Sequence, residues 1–237
     1  MFKKISILIP VYNEAETIKT CIENVLNSDT LNIEKEIIVS DNNSNDGTKK
    51  ILESINYSNV KILYKEKNEG KGANLINAIK HASGDIIIFQ DGDLEYSPSC
   101  YKDLLFPFLE YKADVVYGSR LTGAKATKIS GFPNFIANKI ITFFVNLLFN
   151  KIFSDVETGF KVFKKSVLDD ISLISKGFEI EIEVTSKISN NSKLNIFEVP
   201  IPINSRGYSE GKKVKLSDFF IAIYSIFKWK INLILKK

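Results

Sequence analysis

Asp85-Ile-Ile-Ile-Phe-Gln-Asp-Gly-Asp-Leu-Glu95 decides how this chain of 237 residues is read. The apolar run Ile86 to Phe89 has the length and β-branched content of a strand buried on both faces. It ends in Asp91, Asp93 and Glu95. Carboxylates at i and i+2 leaving a strand can hold one hard cation through oxygen, and no His or Cys stands nearby. Mg²⁺ or Mn²⁺ is therefore the expected cofactor. Gly92 is read as the residue that lets the chain turn between the two carboxylates.

Working outward, the same pattern repeats. Ile5 to Val11, Glu36 to Asp41, Val60 to Tyr64 and Asp114 to Gly118 read as further strands. Amphipathic helices are expected between them, over 14–27, 48–55, 72–82 and 98–111. That alternation predicts βαβ units and an α/β fold, a mostly parallel sheet covered by helices on both faces. Ligands of such sheets lie beyond the carboxyl ends of the strands. Pro10, Tyr12 and Glu14 lie at the end of the first strand and Asp41 ends the second, so they join Asp91 and Asp93 on one edge. Gly70-Lys71-Gly72 precedes a helix, where its amides and the Lys71 ammonium would suit a phosphate. Neither G-x-G-x-x-G after the first strand nor G-x-x-x-x-G-K-[ST] occurs, which excludes a dinucleotide fingerprint and a P-loop.

After residue 120 the pattern changes. A loop is expected over 121–135, an apolar helix over 138–153 and a short strand over 160–163. A helix over 178–188, a strand over 194–203 and a long amphipathic helix over 216–235 follow. No internal repeat or clean linker appears. Residues 1–204 are expected to form the catalytic domain. Residues 205–237 would add a basic phosphate-binding loop and a membrane-associating helix packed on the same domain.

Composition narrows the chemistry. A single histidine, His81, rules out a multi-His zinc site within the chain. Cys21 and Cys100 stand alone, without a C-x-x-C pair, as fits a reducing compartment. Among 32 basic residues only Arg120 and Arg206 are arginine, which flags positions where a flat, forked cation is needed. Residues 205–237 hold eight Lys/Arg against two Asp/Glu, a net +6. Residues 1–204 hold 24 basic against 26 acidic, a net −2. Charge so concentrated points to an anionic surface at the C-terminus and not to nucleic acid. Met1 to Pro10 reads as a strand and not as a secretory signal. No uncharged apolar run reaches membrane-spanning length; Ile140 to Phe149 is too short, and 216–235 is interrupted by Asp218, Lys228 and Lys230.

Eight blocks, in order, then carry a family resemblance. They are Ile9-Pro-Val-Tyr-Asn-Glu14, Asp41-Asn-Asn-Ser-Asn-Asp-Gly-Thr48, Asn68-Glu-Gly-Lys-Gly-Ala73 and Gln90-Asp-Gly-Asp-Leu-Glu-Tyr96. Val116-Tyr-Gly-Ser-Arg120, Asp155-Val-Glu-Thr-Gly-Phe-Lys-Val-Phe163, Glu198-Val-Pro-Ile201 and Arg206-Gly-Tyr-Ser-Glu-Gly-Lys-Lys213 complete the set. The chain resembles inverting glycosyltransferases of family 2 with the GT-A fold, a Rossmann-like nucleotide-sugar-binding architecture. Within them it is most similar to the branch that makes dolichol- or polyprenyl-phosphate sugars. The resemblance implies that Pro10, Tyr12, Glu14 and Asp41 line the nucleoside pocket, with Lys71 near the nucleotide. It implies that Asp91 and Asp93 hold the metal and donor diphosphate, helped by Glu95. Arg120 would face the donor or acceptor phosphate. Asp155 would be the candidate base, with Glu157 beside it, and Arg206, Lys212 and Lys213 would grip phosphates. Asn42 stands where the family often has an acid, and Gly92 where it often has Ala.

The reaction so implied moves a hexose from GDP-mannose or UDP-glucose to a polyprenyl phosphate. The place would be the cytoplasmic face of the membrane, with peripheral attachment and room for a membrane-protein or homo-oligomeric partner. A lipid phosphate is largely anionic at neutral pH, its second pKa being about 6, so a general base would be partly redundant. The alternative acceptor, a saccharide or lipid head-group hydroxyl in cell-envelope glycan synthesis, would need that base. A non-catalytic nucleotide-sugar scaffold and a nucleotidyltransferase are the remaining readings. Intact Asp91, Asp93, Asp155 and Arg120 speak against the first, and the glycine-free segment from Pro10 to Glu16 against the second.

Overall fold

The computed structural model describes residues 2–123, 128, 131–206 and 216–235. Among the described residues seven strands form one sheet: β1 (Lys4–Val11), β2 (Glu34–Asp41), β3 (Val60–Tyr64), β4 (Ile86–Phe89), β5 (Val115–Ser119), β6 (Lys161–Lys164) and β7 (Ile196–Pro200). Their order is β3-β2-β1-β4-β6-β5-β7. All neighbours are parallel except β6, which runs antiparallel to both β4 and β5. This is the mostly parallel, helix-flanked sheet that the pattern predicted.

Helices α1 (Ile18–Leu26), α2 (Thr48–Glu53), α3 (Lys71–Ile79) and α4 (Tyr101–Glu110) link the first five strands. They are followed by α5 (Phe132–Phe149), α6 (Lys165–Asp170), α7 (Ile180–Asn190) and α8 (Leu216–Leu235). Side chains alternate across the sheet. Ile5, Ile7 and Ile9 pack with Ile18, Ile22, Leu104 and Phe108 on one face. Leu8, Ile38 and Ile87 pack with Leu75, Val145, Ile182 and Ile226 on the other.

Three differences from the expected elements have physical reasons. Helix α6 was not foreseen, because six residues are too few to show a period. Helix α5 begins at Phe132, within the stretch read as a loop, where Pro133 sits in its first turn. At eighteen residues and mean hydropathy 1.4, α5 is, among the described residues, the one helix long and apolar enough to cross a membrane by length and composition. The third concerns α8. Trp229, within the helix expected to associate with a membrane, is 4% exposed and lies under the Lys187 ammonium, 4.2 Å from its ring centre. Ile226 is fully buried, and Phe219 and Leu233 pack partly against the core. Helix α8 thus has two apolar faces. One is spent on the domain. The other, with Leu216, Phe220, Tyr224, Phe227, Ile231 and Ile234, is exposed.

Candidate active site

Strand register gathers the site. Val11 pairs with Asp41 and Leu8 with Phe89, so β1, β2 and β4 end on one edge. Because β6 is antiparallel, its start lies at that edge too, with Lys161 opposite Tyr117. The segment before it, Asp155 to Phe160, therefore runs between the ends of β4 and β5. Strand β7 is parallel to β5, and the chain leaving it carries Arg206 to the same edge.

The Asp91-Gly-Asp93 turn is held from below. Gln90 donates to the Asp91 and Tyr96 carbonyls at 2.9 and 3.1 Å, and Tyr101 donates to Gln90 at 2.7 Å. Gly92 is not the strained residue that the turn seemed to need. The positive φ, 63°, belongs to Leu94, and a Cβ on Gly92 would meet only ordinary contacts at 3.6 Å. The Ala common in the family would fit there.

Asp91 pairs with Lys71 at 2.8 Å, and Lys71 reaches Glu181 at 3.2 Å. Glu181 in turn pairs with the fully buried Lys161. Burial opposes the Lys71 charge, but Asp91 and Glu181 hold its pKa above the usual lysine range. The glycines around Lys71 serve packing. A Cβ on Gly70 or Gly72 would run into backbone carbonyls of residues 175–177, and the Ala73 N–H is taken by the Lys176 carbonyl at 3.0 Å.

Arg206 joins three acids. Its guanidinium donates to Glu14 at 3.1 and 3.3 Å and to Asp93 at 2.9 Å, and its backbone N–H donates to Glu95 at 2.7 Å. Burial, with Asp91 and Glu95 close by, still pushes the Asp93 carboxyl up to about 6. Oxygen-only ligands crowded beyond their local positive charge fit a hard divalent cation. Among the described residues no three Asp, Glu, His or Cys side chains converge as a preformed ligand set. Glu95 is engaged by Arg206, and its own N–H holds Asp93 at 3.0 Å.

Just beyond β5, Arg120 forks onto Asp155 at 2.6 and 2.7 Å. The Arg120 N–H adds a bond of 3.2 Å and Asn138, from α5, one of 2.8 Å. Burial would raise the Asp155 pKa, but Arg120 and these donors hold it below the usual carboxylate range. Glu157 lies between Asp155 and Gly159. Burial first, and Glu181 in part, push its carboxyl up to about 7, against the pull of Lys161.

At the ends of β1 and β2, Pro10 is the next-to-last residue of β1, Tyr12 is half-buried, and Asp41 is buried with its carboxylate on the Ser44 N–H at 3.2 Å. Asn42 donates to Asn68 at 2.8 Å and accepts from the Glu69 N–H at 3.1 Å. An ionised acid at this position could not donate the first bond. Lys212 and Lys213 lie outside the described residues. Three members of the site went unread: Lys161, Glu181 and Asn138. A lysine inside the apolar run Phe160 to Phe163 was the available signal for Lys161.

A mostly parallel sheet flanked by helices, with acids and paired cations on its carboxyl edge, is of the GT-A fold class. The chain belongs to glycosyl transferase family 2, whose model matches residues 6–172, and sugar transfer is the reaction class that this membership brings. It is 29% identical over 234 residues to a dolichol-phosphate mannosyltransferase of Pyrococcus furiosus, covering 96% of this chain and 64% of that protein. It is also 29% identical to a UDP-N-acetylglucosamine–dolichyl-phosphate N-acetylglucosaminyltransferase of Methanococcus voltae, with 98% of each covered. In fold it is similar to glucosyl-3-phosphoglycerate synthase of Mycobacterium tuberculosis, solved with Mn²⁺, UDP and phosphoglyceric acid. That likeness has a TM-score of 0.75 at 18% identity, over 98% of this chain and 78% of the other.

Proposed function

We propose that the chain transfers one sugar from a nucleotide sugar to a polyprenyl phosphate of the dolichyl type, at a membrane surface. The observation that carries this reading is the Arg120–Asp155 fork. A general base needs a free lone pair and a pKa near the working pH. Asp155 has four donors on it and a pKa held low. It is suited to orient Arg120 and ill suited to take a proton from a hydroxyl. An acceptor that arrives anionic needs no base, and Arg120 can bind a phosphate through its forked N–H groups. Both relatives act on dolichyl-phosphate acceptors by name, which supports the same choice.

Asp91 and Asp93 would hold Mg²⁺ or Mn²⁺, which when bound stabilises charge on a departing diphosphate. Lys71, fixed by Glu181, adds a positive charge beside Asp91. Pro10, Tyr12, Glu14 and Asp41 line the nucleoside end. Arg206, now on Glu14, Asp93 and Glu95, would turn to phosphate as the site fills, together with Lys212 and Lys213. Inversion follows from attack on the face opposite the leaving diphosphate.

The membrane reading is supported by α5 and α8, which meet through Phe144 and Phe227 at 5.7 Å. Phe132, Phe143 and Leu147 of α5 and the outer face of α8 expose large apolar side chains. The +6 tail suits an anionic cytoplasmic leaflet. The test supplies radiolabelled UDP-N-acetylglucosamine, UDP-glucose and GDP-mannose with polyprenyl phosphate, with and without Mn²⁺. Label in an organic-soluble product that needs the metal is expected. Label only in water-soluble glycan would select the hydroxyl acceptor instead.

A further inference from the structure

Glu157 keeps one carboxyl oxygen, Oε1, shut off from solvent and without a hydrogen-bond partner. Such an oxygen carries the desolvation penalty of a polar group with nothing to offset it. Native structures leave few of these, and a ligand that brings a donor removes the penalty.

Its place in the fold limits what that ligand is. The segment Asp155 to Gly159 spans the two charge centres of the site. At one end Asp155 is forked by Arg120. At the other, Gly159 is pressed so close to Asp91 and Tyr96 that a Cβ would collide with both, and its N–H donates to the Tyr96 hydroxyl oxygen at 2.9 Å. Glu157 stands midway, with Lys161, Glu181, Arg120 and Asp155 as its charged neighbours. Lys71 and Arg120, the cations on either side, suit phosphate. A carboxyl set among Asp155 and Glu181 repels phosphate. A neutral group rich in hydroxyls fits best, and between the donor diphosphate and the acceptor phosphate that group is the sugar being moved.

We propose that Glu157 recognises the transferred sugar, its Oε1 accepting a hydrogen bond from a ring hydroxyl. A carboxyl held near neutral titration can also donate, to a hydroxyl or an acetamido oxygen. Glu157 is then a specificity-determining residue and not a second base. The inference rests on the reading of the chain as a nucleotide-sugar transferase. It goes further in naming the residue that tells one sugar from another.

Titration calorimetry on the full chain with Mg²⁺ tests it. The probes are UDP-N-acetylglucosamine, UDP-glucose and GDP-mannose, each beside UDP or GDP alone. In Glu157→Ala the sugar nucleotide that the wild type prefers should bind about tenfold more weakly, while its nucleoside diphosphate binds unchanged. Glu157→Gln, of the same shape, should alter the ranking of the three sugars and keeps the test open if the alanine variant does not fold. Equal weakening of sugar nucleotide and diphosphate would put Glu157 on the phosphates and overturn the inference. Unchanged binding in both variants, or a loss of turnover with sugar affinity intact, would overturn it as well. If the wild type binds none of the nucleotides, the transferase reading itself fails. If it binds them and the variants follow suit, only the role of Glu157 fails.

Discussion

Arg206 Nη2 lies 2.9 Å from Asp93 Oδ2, so a cation of the chain itself sits on a carboxylate that the metal would need. The two residues are far apart in sequence, and the same guanidinium also reaches Glu14. Arg206→Lys keeps the charge but cannot fork across two acids. Loss of one charged hydrogen bond should lower kcat/KM about 10- to 100-fold, with far-UV circular dichroism unchanged. Arg206→Ala should bind Mn²⁺ more tightly than wild type when no nucleotide is present, as read from free-ion electron paramagnetic resonance. Equal Mn²⁺ affinity would show that the arginine and the metal do not compete.

Asp93→Asn should abolish nearly all transfer. Yet its melting temperature at pH 8 should not fall, because ionised Asp93 is crowded by Asp91 and Glu95 and its pKa is already raised. Full activity of this variant in EDTA would remove Asp93 from the metal site.

Asp155→Asn leaves the Arg120 guanidinium without its charge partner. Arg120 retains 22% exposure, so the expected loss in urea denaturation is about 2–4 kcal/mol, somewhat below the range for a wholly buried pair. Asn138→Ala removes a single bond to the same carboxylate and should cost about 1 kcal/mol. If Asp155→Asn were as stable as wild type, the fork would not hold this edge together.

Glu157 governs a pH dependence whose sign is fixed. Its folded pKa, about 7, lies above the ordinary value of 4.5, so the native state binds this proton more tightly than the unfolded chain. The stability so contributed is full below about 4.5 and is lost as pH rises through about 7. Glu157→Gln should therefore gain about 3 kcal/mol on wild type at pH 8 and little at pH 4.5, measured by urea melts across that range. A difference independent of pH would show that the carboxyl is not titrating there.

Phe220→Asp combined with Tyr224→Asp should stop the chain floating with anionic liposomes while leaving its melting temperature within a few degrees. Both side chains are exposed. Trp229→Ala should do the reverse, since that ring is buried, and cost about 3 kcal/mol or more. Persistent flotation of the double aspartate variant, or a concentration-dependent dimer in its wild-type parent without lipid, would point to a protein partner for this face.

The α/β architecture, the carboxyl edge and the residues on it were legible because they depend on short-range rules. A buried parallel strand must be apolar, and whatever follows it must lie at the edge. Asp41, Asp91 and Asp93 could thus be placed before any contact was known. The stripe on α8 was legible for the same reason, but not which of its two faces would be covered.

What tertiary structure alone decided is how the charges are spent. The antiparallel insertion of β6 brings Lys161 and the Asp155–Gly159 segment between β4 and β5, and no local pattern announces the direction of a strand. Glu181 meets Lys71 and Lys161 only because α7 is buried among the other elements. The family resemblance marks Asp155 as a candidate base, and only the fold shows that the Arg120 guanidinium forks onto its carboxylate. A side chain's chemistry follows from its type. Its pKa and role follow from the partners and burial that distant segments impose, because electrostatic energies depend on distance and dielectric and not on spacing along the chain.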